Sequence, residues 1–180
     1  MRARIPGSRA WRPRPAAVRL VIASVILFSG SAWAAAPKGA ADTTPDGNWT
    51  TKRIFDVFRN ESRCVVETPA TTMDDGRSPT KVFLRVDGRS LTVMTQSNVD
   101  IGADVGVRVD DNKLIRPDKI FLDQNLLFET SSAQIIEQFK AGLVAEAHLR
   151  FWPTWPDKGL KTVRFSLIGF TRAYARLPGC

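Results

Sequence analysis

The sequence predicts a mainly β protein: a single-domain β-sandwich or flattened barrel with two short helices covering an edge or an open end. Three observations carry this expectation. From Val82 onward, apolar residues recur at every second position through most of the chain. Short polar turns such as Asp87-Gly88 and Asp110-Asp111-Asn112 separate those runs. Only two segments, near 131–142 and 170–177, replace the two-residue period with a helical one.

The first 34 residues read as a cleavable secretory signal peptide. Arg2, Arg4, Arg9, Arg12, Arg14 and Arg19 form a positive region without an acidic residue, and the nine-residue apolar stretch Leu20–Phe28 follows. Ala32 and Ala34 occupy the small-residue positions of a cleavage site, with cleavage after Ala36 as the alternative. Nine residues rise only about 14 Å as a helix, against a hydrocarbon core of about 30 Å. A stable membrane span after cleavage is therefore not expected. The absence of adjacent arginines and of a junction cysteine argues against a twin-arginine route and a lipoprotein.

The whole chain carries 26 basic and 18 acidic residues, a net +8, but six arginines and no acids lie in the leader. The remainder is therefore nearly neutral, its charges alternate in sign along the chain, and a nucleic-acid partner is excluded on that ground. About 146 of the 180 residues remain, enough for one core and not for two. Residues 35–48, small, polar and bearing Pro and Gly, read as a disordered lead-in, and the folded domain is expected over 49–180.

Val82, Leu84 and Val86 alternate up to Asp87-Gly88, and Leu91, Val93 and Thr95 share a face beyond it. A two-residue Asp-Gly turn pairs Val86 with Arg89, Leu84 with Leu91 and Val82 with Val93. Val105, Val107 and Val109 lead through Asp110-Asp111-Asn112 to Leu114 and Ile115, a second hairpin. Ile120–Leu122 and Leu126–Phe128 flank the turn Asp123-Gln124-Asn125. Leu143–Phe151 alternates with Ala145, Ala147, Leu149 and Phe151 inward, and Thr162–Leu167 closes the series. Ser131 with Gln134 has capping-box spacing before Ile135, Ile136 and Phe139, and Gly142 is a natural stop. Phe170, Ala173, Tyr174 and Leu177 form the second helical stripe, ended by Pro178.

Two cysteines remain after the leader, Cys64 and Cys180. In an oxidising compartment they are expected to form a disulfide closing a loop of more than 100 residues, with two unpaired thiols as the alternative. Two cysteines and the single His148 cannot make a familiar zinc set. No nucleophile elbow, zinc-protease helix, phosphate loop or dinucleotide turn is present, so no catalytic residue, metal or cofactor is assigned. Glu146, His148 and Arg150 share one strand face and read as its solvated side, with an acid–base pair of Glu146 and His148 as the alternative. The run Phe151-Trp152-Pro153-Thr154-Trp155-Pro156 makes Trp152 and Trp155 candidate binding residues. The competing reading has both rings plugging the core or capping a barrel end.

Near the carboxyl end, Val163-Arg164-Phe165-Ser166-Leu167-Ile168-Gly169-Phe170-Thr171-Arg172-Ala173 reads as a strand entering the segment S-L-x-G-F-x-x-A. That segment resembles the ending of the invasion-associated locus B family of exported bacterial proteins. Trp49, Cys64 and the helix-and-glycine element Ile135–Gly142 are compatible with the family plan. The chain departs from it in having no cysteine pair between Cys64 and Cys180, so the family's redox framework is not carried over. The resemblance implies a periplasmic or secreted, β-rich protein linked with host-cell invasion in pathogens, with no catalytic residues to transfer. Together with the leader, the size and the missing catalytic motifs, it leads to the expectation of a non-enzymatic protein with an unidentified protein or envelope partner. The alternatives are a β-barrel or sandwich holding a small apolar ligand near Trp152 and Trp155, and an exported hydrolase using His148. N-terminal sequencing of exported protein should find Ala35 first, or Pro37; an intact Met1 in the envelope fraction would contradict the leader.

Overall fold

The computed structural model describes residues 44–46, 48–57, 60–100, 102–152 and 159–180. The signal peptide expected over 1–34 lies outside them. Eleven strands are present among the described residues: β1 (Thr44–Asp46), β2 (Trp49–Asp56), β3 (Glu61–Glu67), β4 (Thr71–Asp74), β5 (Pro79–Val86), β6 (Leu91–Met94), β7 (Gly106–Val109), β8 (Lys119–Phe121), β9 (Asn125–Phe128), β10 (Val144–Leu149) and β11 (Lys161–Ser166). The helices are α1 (Ser132–Ala141) and α2 (Phe170–Ala175), followed by a 3₁₀ turn at Leu177–Gly179.

All pairings are antiparallel and make two sheets. The larger runs β1-β2-β3-β5-β6-β9-β8, with β4 on β5, and the smaller runs β11-β10-β7. Alternation explains how they meet. Val82, Leu84 and Val86 of β5, Leu91 and Val93 of β6, and Leu126 and Phe128 of β9 are buried on one side. Val107, Val109, Ala145, Ala147, Leu149, Val163 and Phe165 are buried on the small sheet, and all belong to one core. The sheets stay separate, so the fold is a sandwich and not a closed barrel.

Three local expectations are corrected. First, β1 lies inside 35–48, expected to be disordered; it pairs Thr44 with Thr51 and Asp46 with Trp49, which supplies backbone partners to the edge of β2. Second, the β5–β6 hairpin pairs Val86 with Leu91 and Leu84 with Val93. Its tight turn is centred on Gly88-Arg89, because Asp87 binds Ser90: its N–H donates to the Ser90 carbonyl, and its carboxylate accepts from the N–H groups of Arg89 and Ser90. Gly88, at φ +83°, takes the first central position, which a II′ turn gives to glycine. A shift of two residues preserves the buried face, so the expected core survived the register error. Third, Ser131 precedes α1 without a side-chain cap; Ser132 Oγ instead donates to the carbonyls of Arg89 and Glu129. Gly142 does end α1, for a steric reason: a Cβ there would lie 2.5 Å from Val109 Cγ1 and 2.8 Å from Asp110 Oδ2.

The helices close one end of the sandwich. Phe139 of α1 and Phe170 of α2 meet edge to face at 5.2 Å, and both rings lie against Trp49 at the start of β2. The Trp49 indole N–H donates to the Ser166 carbonyl at 3.0 Å, and Thr51 Oγ1 donates to the Ala173 carbonyl at 2.8 Å. Beyond α2, the chain is tied down by the disulfide between Cys64 and Cys180, whose Cα atoms are 5.9 Å apart. The Cys180 carbonyl also accepts from the guanidinium of Arg53, on the strand paired with Cys64. The bond spans 116 residues, so the chain-entropy argument gives it on the order of 4–5 kcal/mol. Cys180→Ser, or reduction of the wild type, should lower the denaturant midpoint by a matching amount; unchanged midpoints would show that the bond is dispensable.

Candidate functional site: the helix-free end of the sandwich

Glu146 sits on β10, the middle strand of the small sheet, directly across from Arg108 on β7 and Arg164 on β11. Glu146 Oε2 accepts from Arg108 Nη2 at 2.5 Å and Nε at 3.1 Å, and Oε1 accepts from Arg164 Nε at 2.9 Å. His148 Nε2 lies 3.4 Å from Oε2. The carboxylate is only 8% exposed beneath these side chains. Hydrogen bonding from Arg108, helped by Arg164 and His148, outweighs burial and holds the Glu146 carboxyl below the usual glutamate range. The expected solvated face is thus covered at Glu146 by a charge cluster, because both arginines fold over their cross-strand partner.

A carboxylate with both oxygens occupied and a depressed pKa accepts protons poorly. Among the described residues, no serine, threonine or cysteine is hydrogen-bonded to His148. The arrangement ties three strands together electrostatically. Nor do the described residues contain a group of three or more His, Cys, Asp or Glu side chains suited to hold a metal.

The end of the sandwich remote from the helices is built differently. Four chain segments meet there and are stitched by polar bonds. Ser97 Oγ donates to Asp75 Oδ2 at 2.6 Å, joining the segment after β6 to the β4–β5 turn. Thr95 Oγ1 donates to the Gln124 carbonyl at 2.9 Å and Val99 N to the Asp123 carbonyl at 2.7 Å, adding the β8–β9 turn. Trp152 N donates to the Asn98 carbonyl at 2.8 Å, and Val99 and Phe151 form a bridge pair. Arg150 Nη2 lies 2.6 Å from Asp100 Oδ2.

On this rim, Trp152 is 65% exposed and Leu122 61% exposed, with Phe121 and Leu160 also exposed. Phe151, the preceding residue, is buried. Of the two candidate tryptophans, Trp152 therefore faces solvent, and Trp155 lies outside the described residues. Leu122 and Asp123 were not singled out in the sequence. They adopt φ of +53° and +56°, a strained conformation for consecutive non-glycine residues, and Val99 N holds the Asp123 carbonyl in that turn. The sequence puts Asp123 in a turn and Leu122 at the end of a strand, whereas β8 ends at Phe121 and Leu122 opens the turn.

The class of protein is defined by these features: a two-sheet antiparallel sandwich, sealed at one end by two helices and a disulfide-tied tail, with an open apolar rim at the other. No protein-family model matches the chain, and no curated protein matches it in sequence. Among solved structures it is similar to the crystal structure of invasion associated protein B from Bartonella henselae. The two share 14% identity with a TM-score of 0.51, over 76% of this chain and 95% of that one. At that identity the likeness is one of fold, the same fold that the Ser166–Ala173 resemblance implied. The geometry explains that segment: Ser166 receives the Trp49 indole, Leu167 is buried, Gly169 turns the chain at φ +93°, and Phe170 and Ala173 enter the core.

Because Glu146 has a lowered folded-state pKa, its contribution to stability is complete above the ordinary glutamate range and is lost as pH falls through the depressed value. Glu146→Gln should cost about 1–2 kcal/mol at neutral pH, discounted for the exposed arginines, and should flatten the acid limb of the melting profile. His148→Ala should stay within about 0.5 kcal/mol of wild type, and a larger loss would show that the imidazole helps hold the cluster.

Proposed function

We propose that this chain is an exported, non-enzymatic protein of the invasion-associated locus B type, working in the periplasm or after secretion by binding a partner in the envelope or on a host cell. The observation that carries this reading is the rim of exposed apolar side chains, Trp152 above all, on loops already fastened to one another. Preorganised loops lose little entropy on binding, and tryptophan is prominent among residues that dominate interface energies. The arginine-rich leader and short apolar stretch support export. Among the described residues no helix is long and apolar enough to cross a membrane. The fold shared with invasion associated protein B supports the family type.

The test uses the full chain with a C-terminal tag, expressed in an exporting bacterium. Fractionation should recover it in periplasm or medium, shortened by its leader. Trp152→Ala should weaken capture of envelope or host-cell partners by about 2 kcal/mol, while the melting temperature stays nearly constant. Cytoplasmic retention, or unchanged capture by Trp152→Ala, would refute the reading.

A further inference from the structure

The geometry points to the chemistry of the partner: the helix-free rim docks a polypeptide segment that presents cationic and apolar side chains together. This inference rests on the binding reading above and adds the partner's chemical class. The rim's charges decide it. Asp100 is paired with Arg150, and Asp104 with Arg116, so those charges offset each other. Lys161, beside Leu160, is itself engaged. The remaining described charges are Asp74, Asp75 and Asp123 against Arg77, an excess of acid around the apolar side chains.

Their availability differs. Asp75 is spent internally, accepting from Ser97 Oγ and from the N–H groups of Arg77 and Ser78. Asp74 Oδ1 accepts only the local Gly76 N–H, and both Asp74 and Asp123 are exposed. Asp123 directly follows exposed Leu122, in the turn whose carbonyl is bonded to Val99, and the residue before Val99, Asn98, is bonded to Trp152. A carboxylate, an aliphatic side chain and an indole are thus placed on adjacent, mutually bonded segments. A lysine or arginine on the partner can approach Asp123 or the face of Trp152, and its apolar neighbours can cover Leu122. The same carboxylates repel a bilayer rich in anionic lipid, so a protein segment is favoured over a lipid surface.

The oxidised, exported chain should be titrated with short fluorescent peptides of alternating Arg and Leu, of alternating Glu and Leu, and of alternating Arg and Ser, and with phosphatidylglycerol vesicles. The Arg/Leu peptide should bind, and tighten as salt falls. Trp152→Ala should weaken it about 30-fold, and Leu122→Ala, which leaves every backbone bond of the rim in place, by several-fold. Asp123→Asn should weaken it about 3-fold and reduce the salt dependence, and Asp123→Lys should abolish it. No binding of the Arg/Leu peptide overturns the inference. So does equal or better binding of the Glu/Leu or Arg/Ser peptide or of the vesicles, or indifference to Asp123→Lys. If the peptides fail while Trp152→Ala still loses its captured partner, the charge assignment is wrong and the binding function stands; a chain retained in the cytoplasm removes the export reading instead.

Discussion

Trp49 is the residue on which the rest of the structure depends. It opens β2 of the large sheet, yet its indole N–H is bonded to the Ser166 carbonyl of the small one. Its ring lies 4.8 Å from Phe170 and 6.0 Å from Phe139, so one fully buried side chain touches both sheets and both helices. Among the described residues the two sheets have no strand pairing with each other. What aligns them is side-chain packing between their faces plus this directional bond. A buried indole N–H without an acceptor would cost free energy, so the same group that adds apolar area also specifies where β11 ends.

From that corner the sandwich acquires two unlike ends. At the helix end the seal is apolar and cooperative: the aromatic cluster, the glycine that brings α1 against Val109, and the disulfide that holds the tail to β3 all reduce the freedom of one region. At the other end no helix of the described residues is laid over the core. Ser97, Thr95, Val99, Asn98 and Asp100 supply polar bonds that hold the loops in register. Polar stitching leaves the apolar side chains of Trp152 and Leu122 uncommitted, where a helix would have covered them. This division is common in sandwiches, whose loop ends carry recognition while the sheets carry stability.

The charge cluster on the small sheet belongs to the stability side. Three strands present only short runs of pairing, and Glu146 bridges the outer two through Arg108 and Arg164. Shielding a carboxylate from water is costly in itself, so Glu146, covered by the arginines, depends on keeping both of them as partners.

What the sequence by itself determined was local. The alternation of β5, β6, β10 and β11, the two helical stripes, and the inward set Ala145, Ala147, Leu149 and Phe151 follow from residue periodicity, because a side chain's face is set by its neighbours along the chain. The Cys64–Cys180 bond was legible from chemistry and number, since two cysteines allow one pairing. The tertiary structure alone decided the rest. Arg108, Glu146 and Arg164 stand 38 and 18 residues apart in pairing terms, and no period connects them. The hairpin register turned on one carboxylate binding Ser90, and β1 was ordered by an edge it pairs with. Trp152 could equally have filled a core as faced water. The alternation already puts Phe151 inward; the Val99–Phe151 bridge carries that extended pairing past β10, so the neighbouring Trp152 is sent out.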